Sequence, residues 1–204
     1  MFTGIVQGLG TIAAWGPGAD TRRLVVSTEL PVEQLPLGAS IAVDGVCLTV
    51  VDRRPGQFAA DVGPETLART TFADRREGER VHLEPPLAAG DPLGGHLVAG
   101  HVDGVGVVAD ARPRGDALEL DIDTPAELAR YLIPKGSITV DGVSLTVNTV
   151  AGSRFGVTLI PHTLAVTHLG QLVAGTRVNL EADLIAKHVD RLVAHYVRVP
   201  GATP

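Results

Sequence analysis

The sequence is poor in cysteine and in aromatic residues, and both shortages narrow what the protein can be. A single cysteine among 204 residues leaves no internal disulfide framework and no cysteine-based zinc cluster. Such sparing use of cysteine is typical of a reducing compartment, so we expect a cytoplasmic protein. Aromatic residues account for 3% of the chain, and the cores therefore have to be built from Val, Leu, Ile and Ala.

Long apolar runs and clusters of positive charge are lacking too. No apolar run approaches the roughly 18 residues that a membrane helix needs, and the first residues lack the positive-then-apolar order of a signal peptide. The net charge is −6, and lysine occurs only twice, against 15 arginines that form no basic run or stripe. We therefore expect neither a membrane nor a nucleic acid as a partner.

A long internal repeat is the main feature that the sequence does contain. Residues 40–84 match residues 137–181 without a gap, with 20 of 45 positions identical, and residues 4–10 match residues 100–106. A repeat of this length represents two whole domains rather than the short units of a solenoid. We expect one domain at 1–95, a second at 96–182, and a separate C-terminal segment at 183–204.

Each copy has the pattern of a small antiparallel β-barrel. Short runs rich in Val, Ile, Leu and Thr alternate with Gly, Pro, Asp and Asn, which is typical of strands. Asp44-Gly45 and Asp141-Gly142 each predict a type I′ hairpin between two such runs. Segments 64–73 and 161–170 begin with Pro and predict a short helix in each copy. The Gly- and Pro-rich residues 85–95 predict a linker.

The C-terminal segment has a helical pattern instead. Ile185, Val189, Leu192, Tyr196 and Val199 are spaced 4, 3, 4 and 3 residues apart, the seam of a coiled coil over two heptads. One interpretation is a helix packed on its own barrel. Because the first copy runs into the linker at the equivalent point, we favour a helix that assembles an oligomer.

Two matching pairs of polar residues follow the Asp-Gly turns. Side chains alternate faces along a strand, so Cys47 shares a face with Thr49, and Ser144 shares a face with Thr146. Near the rim of a barrel, such a face is open to a ligand. The alternative is that Cys47 is a buried cysteine and acts only as a small hydrophobic residue.

Two charged or titratable residues interrupt the repeat. His101 stands where the first copy has Ile5, and neutral imidazole accepts protons near pH 7, so His101 is a general base, a hydrogen-bond partner of a ligand or a structural residue. His96 and His101 lack a third nearby ligand, which argues against a metal site. Lys135, which replaces Gly38 of the first copy, is either a ligand for a polyol or phosphate or a solvated loop charge.

Each copy also contains a strand-to-helix junction, at 61–66 and at 158–163. Backbone N–H groups at a helix start have no partner within the helix, so they can bind the polar edge of a ligand. With so few aromatic residues, a planar ligand would have to be held mainly by backbone groups and aliphatic side chains.

Together these features resemble the alpha-type riboflavin synthase family over essentially the whole chain. The motifs that carry the resemblance occur in the family's order and spacing. They are Met1-Phe2-Thr3-Gly4-Ile5-Val6, Gly94-Gly95-His96-Leu97, Gly100-His101-Val102, Lys135-Gly136, both Asp-Gly-Val-(Cys/Ser)-Leu-Thr-Val hairpins and Ile160-Pro161-x-Thr163-Leu164.

The resemblance implies two six-stranded Greek-key barrels, each with a short helix, and a C-terminal helix that assembles a homotrimer. It implies 6,7-dimethyl-8-ribityllumazine as the substrate. Two molecules of it dismutate, by transfer of a four-carbon unit, to riboflavin and 5-amino-6-(D-ribitylamino)uracil, with no metal and no cofactor. In this family the N-terminal barrel of one subunit faces the C-terminal barrel of its neighbour, so the reaction site lies between chains.

The resemblance also implies roles for individual residues. Ser144, Thr146, Cys47 and His101 form the catalytic neighbourhood, with His101 as the candidate base or proton relay and Ser144 or Cys47 at the ring that is attacked. His162, which replaces Glu65 of the first copy, would re-tune a contact with the ribityl chain. The residues implied to bind the two ligands are Phe2, Gly4, Ile5, Val6, Leu48, Thr49, Asp61, Val62, Gly63, Pro64, Glu65, Thr66, Gly100, Val102, Lys135, Leu145, Thr158, Leu159, Ile160, Pro161, His162 and Thr163.

Two other functions fit parts of the pattern. Lumazine-binding antenna proteins resemble this family and carry a chromophore without turning it over. The presence of Cys47, His101, Ser144 and Thr146 together favours the enzyme. A flavin-binding barrel of a reductase would need a nucleotide-binding domain with a Gly-rich fingerprint, and the chain has no room for one.

Overall fold

The first repeat folds into a closed barrel of six antiparallel strands. The computed structural model describes residues 1–18, 20–194 and 196. The strands follow the order β1-β2-β5-β4-β3-β6 around the barrel, a Greek-key order, as predicted. The elements are β1 (Gly8–Trp15), β2 (Arg22–Thr28), β3 (Ser40–Val43), β4 (Val46–Arg54), β5 (Gln57–Val62), the helix α1 (Pro64–Arg69) and β6 (Arg80–Glu84).

The second repeat has the same strand order but seven strands instead of the expected six. Its sheet runs β10-β9-β13-β7-β8-β12-β11, and the end strands β10 and β11 are successive pieces of one stretch of chain. The break falls at Val147 and Asn148, where the first barrel has a bulge between Val50 and Asp52. The elements are β7 (Gly104–Arg114), β8 (Ala117–Asp123), α2 (Ala126–Ala129), β9 (Ser137–Val140), β10 (Val143–Thr146), β11 (Thr149–Ala151), β12 (Arg154–Leu159), α3 (Pro161–Val166), β13 (Arg177–Ala182) and α4 (Leu184–Val193).

Aliphatic side chains fill both barrels, as the composition requires. Leu48 and Leu145 lie in the cores of the first and second barrels, respectively. Their neighbours Thr49 and Thr146 are exposed because side chains alternate along a strand. Any ligand that contacts the Cys47 or Ser144 face therefore lies outside the barrel wall.

The two predicted Asp-Gly hairpins meet at the interface between the barrels. Asp44 and Asp141 have φ angles of 44° and 45°, and the following glycines have φ angles of 78° and 80°, as a type I′ turn requires. A Cβ atom on Gly45 would lie 2.7 Å from the backbone nitrogen of Gly142. Glycine is needed in both turns because the hairpin tips are in direct contact.

A histidine and an asparagine at equivalent repeat positions join the barrels in the same way. The Nδ1 of His82 is 2.8 Å from the Asp141 carbonyl oxygen, and its Nε2 accepts a bond from the His168 backbone N–H. Asn179 donates to the Asp44 carbonyl oxygen and accepts from the Thr71 N–H. The repeat thus preserves this bonding pattern although the residue type differs.

The interface also buries two carboxyl groups in unlike states. Burial alone would raise the pKa of Asp44, but the hydrogen bond from His168 and the charge of Arg75 outweigh it and lower that pKa. Burial and the nearby Asp44 charge raise the pKa of Asp141 to about 7. Burial also lowers the pKa of His82 to about 4, so Asp44 carries the negative charge opposite Arg75 and His168.

Replacing Asp141 with Asn should flatten the pH dependence of stability. A carboxyl pKa raised from 3.8 to about 7 on folding contributes stability below pH 4 that is lost as the pH rises through 7. Relative to Asp141→Asn, the wild type should therefore lose at least about 1 kcal/mol of unfolding free energy between pH 5 and pH 8. Urea unfolding at both pH values measures this, with the exposed Asp91→Asn as control; equal pH dependence in the wild type and Asp141→Asn would contradict it.

The C-terminal helix α4 presents its apolar residues to solvent. It begins after Asp183, whose side chain accepts a bond from the Ile185 N–H. Ile185, Val189 and Leu192 are 58%, 52% and 64% exposed, and Val199 of the predicted seam lies outside the described residues. Within those residues, no helix is both long and apolar enough to cross a membrane.

Candidate functional site

Two arms of extended chain cross between the barrels. The first arm is residues 1–7, before β1, and the second is residues 96–103, before β7. The Gly4 carbonyl oxygen accepts a bond of 2.7 Å from the Ser144 N–H in the second barrel, and the Gly100 carbonyl oxygen accepts one of 2.8 Å from the Cys47 N–H in the first. Each arm therefore lies against the polar face of the barrel to which it does not belong.

Only glycine fits at both crossing points. Gly4 and Gly100 have φ angles of 76° and 79°, and a Cβ atom on either would lie 2.7 Å from the Cβ of Ser144 or Cys47, respectively. This explains why the opening motif of the chain is repeated near its middle: both copies have to pass flat over the facing strand.

The arm at Gly100 closes a pocket of about 350 Å³ on the first barrel. Its lining includes Cys47 on β4 and residues of α1. His101 and Cys47 both line this pocket, whereas Ser144 and Thr146, which were predicted with them, lie on β10 of the second barrel. The lining residues are Val46, Cys47, Glu65, Thr66, Arg69, Thr70, Gly100, His101, Val102 and Asp103.

On the second barrel, Ser144 is hydrogen-bonded to a histidine that the sequence did not select. His96 Nδ1 lies 2.8 Å from Ser144 Oγ. Burial lowers the pKa of His96, so its imidazole is neutral at pH 7 and can accept a proton from a hydroxyl. Its Nε2 is buried and has no hydrogen-bond partner among the described residues.

Some residues of the two strand-to-helix junctions are buried, and others are exposed. Thr66 faces the Cys47 pocket, whereas Val62 and Leu159 are fully buried. Asp61 is bonded to Arg23, which lowers the pKa of that carboxyl. In the second junction, Thr158 accepts a bond from the Asn148 side chain. The residues at or beside the helix starts that are partly or well exposed are Gly63, Pro64, Glu65, Ile160, Pro161, His162 and Thr163.

Phe2, which the resemblance implied as a ligand-binding residue, lies in the protein interior. Its side chain is fully buried with Ala42 and Val98 between the barrels. Its backbone pairs with Val98, where the two arms run antiparallel. Ile5, by contrast, is 42% exposed on the first arm, and Val6 packs partly against the second core.

The model of one family matches residues 3–85 and again residues 99–183; its description is lumazine binding domain. The chain belongs to the lumazine-binding domain family. His96 falls between the two matched ranges, and this position outside the repeat explains why comparing the copies did not reveal it.

Several named proteins and solved structures are similar to this chain over most of its length. A protein of Mycobacterium bovis named riboflavin synthase is 47% identical over 95% of this chain and 98% of its own length. Riboflavin synthases of Photobacterium phosphoreum and Bacillus subtilis are 41% and 39% identical over 95% of this chain and 89% and 90% of theirs. Crystal structures of LumP complexed with 6,7-dimethyl-8-(1'-D-ribityl) lumazine and with riboflavin have TM-scores of 0.80 and 0.81, at 28% and 29% identity, and cover 89% of this chain and 99% of LumP.

One buried group between the lumazine-binding domains has ligand types that suit a metal ion. Single ligand atoms of Asp44, His82 and His168 lie within 4.8 Å of one another. Both ring nitrogens of His82 are already engaged by backbone groups, however. This group therefore joins the two domains.

Lys135 has a backbone conformation that is costly for its residue type. Its φ angle is 68°, and its counterpart Gly38 has a φ angle of 86°. The Lys135 N–H donates to the Val147 carbonyl oxygen, as the Gly38 N–H does to Val50. A side chain here costs roughly 1 kcal/mol relative to glycine, so the lysine is retained at the expense of stability.

Proposed function

We propose that the chain is a riboflavin synthase, which converts two molecules of 6,7-dimethyl-8-ribityllumazine into riboflavin and 5-amino-6-(D-ribitylamino)uracil. The observation that carries the proposal is full-length identity of 39–47% to proteins with that name. The two similar polar faces at Cys47 and Ser144 support it, because dismutation needs two places for the same molecule.

Ser144 and His96 are the proposed centre of the chemistry. Transfer of a four-carbon unit requires removal of a proton from the C7 methyl of one lumazine and activation of the ring of the other. A neutral imidazole bonded to a hydroxyl can take up a proton and return it, which typically contributes 10²–10⁴-fold to a rate. Thr146 shares the exposed face of Ser144, and Cys47 and His101 are the corresponding groups at the other pocket.

The two products together contain the atoms of two substrate molecules, so the dismutation balances without an oxidant or a reductant. The enzyme's main task is then to hold two substrates face to face, and such positioning can contribute roughly 7–11 kcal/mol. The proposed binding groups are the two arms, the two strand-to-helix junctions, the hairpin strands and Lys135.

We further propose that the site lies between subunits of a homotrimer. The exposed Ile185, Val189 and Leu192 of α4 support this, since they form an apolar stripe without a partner in the described chain. The polar side of the same helix is fixed to the second barrel by Lys187, whose Nζ lies 2.9 Å from Asp103 Oδ2. A cytoplasmic location is proposed from the single, unpaired cysteine.

Incubation with 6,7-dimethyl-8-ribityllumazine, without added metal or cofactor, tests the activity. We expect riboflavin and the pyrimidine product in equal amounts, separated by chromatography. Tight binding without turnover would place the chain among lumazine carriers, for which LumP is a structural precedent. If the protein neither binds the lumazine nor turns it over, the proposed function is wrong.

Replacing Lys135 with Gly should separate stability from ligand affinity. Loss of the amine should weaken binding of riboflavin by roughly tenfold or more, the value of one hydrogen bond to a charged group. The free energy of unfolding should stay level or rise by up to about 1 kcal/mol, because glycine adopts the positive φ without strain. Lys135→Ala is the matched control: it should lose the same affinity but keep the strain. Wild-type affinity in both variants would show that Lys135 is only a solvated charge.

A further inference from the structure

Two buried glutamates hold the arms that cross between the barrels. Glu84, at the end of β6, accepts bonds from the Thr3 N–H at 2.7 Å, the Thr3 hydroxyl at 2.8 Å and the Gly4 N–H at 3.0 Å. Its repeat counterpart Glu181, in β13, accepts bonds from the Ala99 N–H at 2.9 Å and the Gly100 N–H at 3.0 Å. The two carboxylates hold the two arms in the same way.

These carboxylates have little other reason to be buried. Glu84 and Glu181 are 6% and 1% exposed, and a buried carboxylate is costly unless its oxygens are hydrogen-bonded. Every hydrogen bond to their side chains within the described residues comes from an arm. Burial raises the pKa of both groups despite these bonds, so the arms are fixed at a cost to the fold.

The connectivity is crossed. Glu84 belongs to the first barrel, but the Gly4 that it holds bonds to Ser144 of the second barrel. Glu181 belongs to the second barrel, but the Gly100 that it holds bonds to Cys47 of the first. A carboxylate in one barrel is therefore connected to the ligand face of the other barrel through two consecutive hydrogen bonds that share one glycine.

We propose that Glu84 and Glu181 are positioning residues that act crosswise: Glu84 positions the arm against the Ser144 face, and Glu181 positions the arm that forms part of the Cys47 pocket. The inference rests on the proposed function only for what the pockets bind. The arm geometry itself is independent of the ligand.

Hydrogen–deuterium exchange on the ligand-free protein tests the crossed connection. Glu84→Gln keeps the shape but points an amide donor at an arm N–H, so the Ser144 amide, followed in peptides spanning 143–147, should exchange roughly tenfold faster. The Cys47 amide, in peptides spanning 46–50, should be unchanged. Glu181→Gln should give the reverse pattern, and each variant is the matched control for the other.

Two outcomes would overturn the proposal: equal acceleration at both amides, or acceleration only at the amide in the glutamate's own barrel. Thr3→Val provides a second variant in case Glu84→Gln does not fold. It removes the hydroxyl's bond to Glu84, together with the bond that this hydroxyl accepts from the Ile5 N–H, and leaves the carboxylate in place. It should accelerate the Ser144 amide in the same direction by a smaller factor; no acceleration there would also overturn the proposal for Glu84.

A binding cycle separates the inference from the proposed function. In riboflavin titrations, the effect of Glu84→Gln should be non-additive with Ser144→Ala and additive with Cys47→Ser. Additivity with both would overturn an effect on ligand binding at the Ser144 face. Crossed exchange in a protein that neither binds nor turns over 6,7-dimethyl-8-ribityllumazine would refute the proposed function and leave the positioning of the arms standing.

Discussion

Ser144→Ala should lower kcat by about 10²–10⁴-fold, the usual contribution of a positioned acid–base group. The Ser144 hydroxyl lies 2.8 Å from a neutral, buried imidazole, and the methyl of alanine can neither donate a proton to it nor accept one from it. The free energy of unfolding should fall by no more than about 1–3 kcal/mol, the cost of leaving the buried His96 Nδ1 without its partner, because the Ser144 N–H keeps its bond to Gly4. Steady-state kinetics with the lumazine, beside thermal unfolding of the same samples, measures both effects.

His96→Ala should give a loss of similar size, and the double variant should be little worse than either single one. Such non-additivity is expected of residues that act as a unit. His101→Ala, in the Cys47 pocket, is the comparison: its effect should add to that of Ser144→Ala. If Ser144→Ala turns over at the wild-type rate, Ser144 and His96 are a structural pair only.

Charging the apolar stripe of α4 should disassemble the protein and abolish most of its activity. In Val189→Asp/Leu192→Asp, two exposed apolar side chains become anions that cannot enter an apolar interface without a large desolvation cost. The variant should run as a monomer in size-exclusion chromatography with light scattering. Its kcat should fall by at least about 100-fold, because two substrates are no longer held face to face.

Arg191→Gln, on the same helix and also exposed, is the control and should remain assembled and active. The barrels of the charged variant should stay folded, since no residue of α4 is buried within its own chain. Its unfolding free energy should fall only by the contribution that association makes at the same subunit concentration. A charged variant that is monomeric yet fully active would contradict the site between subunits. Truncation after Asp183 should behave in the same way as the charged variant.

The parts of the fold that depend on short-range pattern could be predicted from the sequence. The Asp-Gly pairs fixed the hairpins, because few residues tolerate the φ angles that Asp44 and Gly45 adopt. The Pro at the first position of each helix marked the short helices α1 and α3. The break between β10 and β11 was not predicted. Asn148 replaces Val51 of the first copy, and its side chain bonds to Thr158 on the neighbouring strand β12, a contact that the repeat comparison does not reveal.

The candidate site was predicted in part, and its most important hydrogen bond was not. Comparing the copies selected Ser144, Cys47 and His101, all of which lie at the crossing arms. It could not select His96, because that residue has no counterpart within the chain and is 48 positions from Ser144. Its signal in the sequence was its place in the family motif Gly94-Gly95-His96-Leu97, which does not by itself assign the histidine a role. The crossing of the arms could not be predicted either, because it rests on backbone hydrogen bonds, and every residue has a backbone carbonyl group whatever its side chain.

The reciprocal arms also say something about how such a protein could arise. A single repeat on its own would leave the N–H of Cys47, or of Ser144, without the carbonyl oxygen that now accepts its bond. Two separate copies that exchanged their N-terminal segments would satisfy both groups, so a swapped homodimer is the simplest ancestor with complete pockets. Fusing the two genes then needed only a connection such as residues 85–95. After such a fusion the two copies could mutate independently, and one face now has a serine where the other has a cysteine.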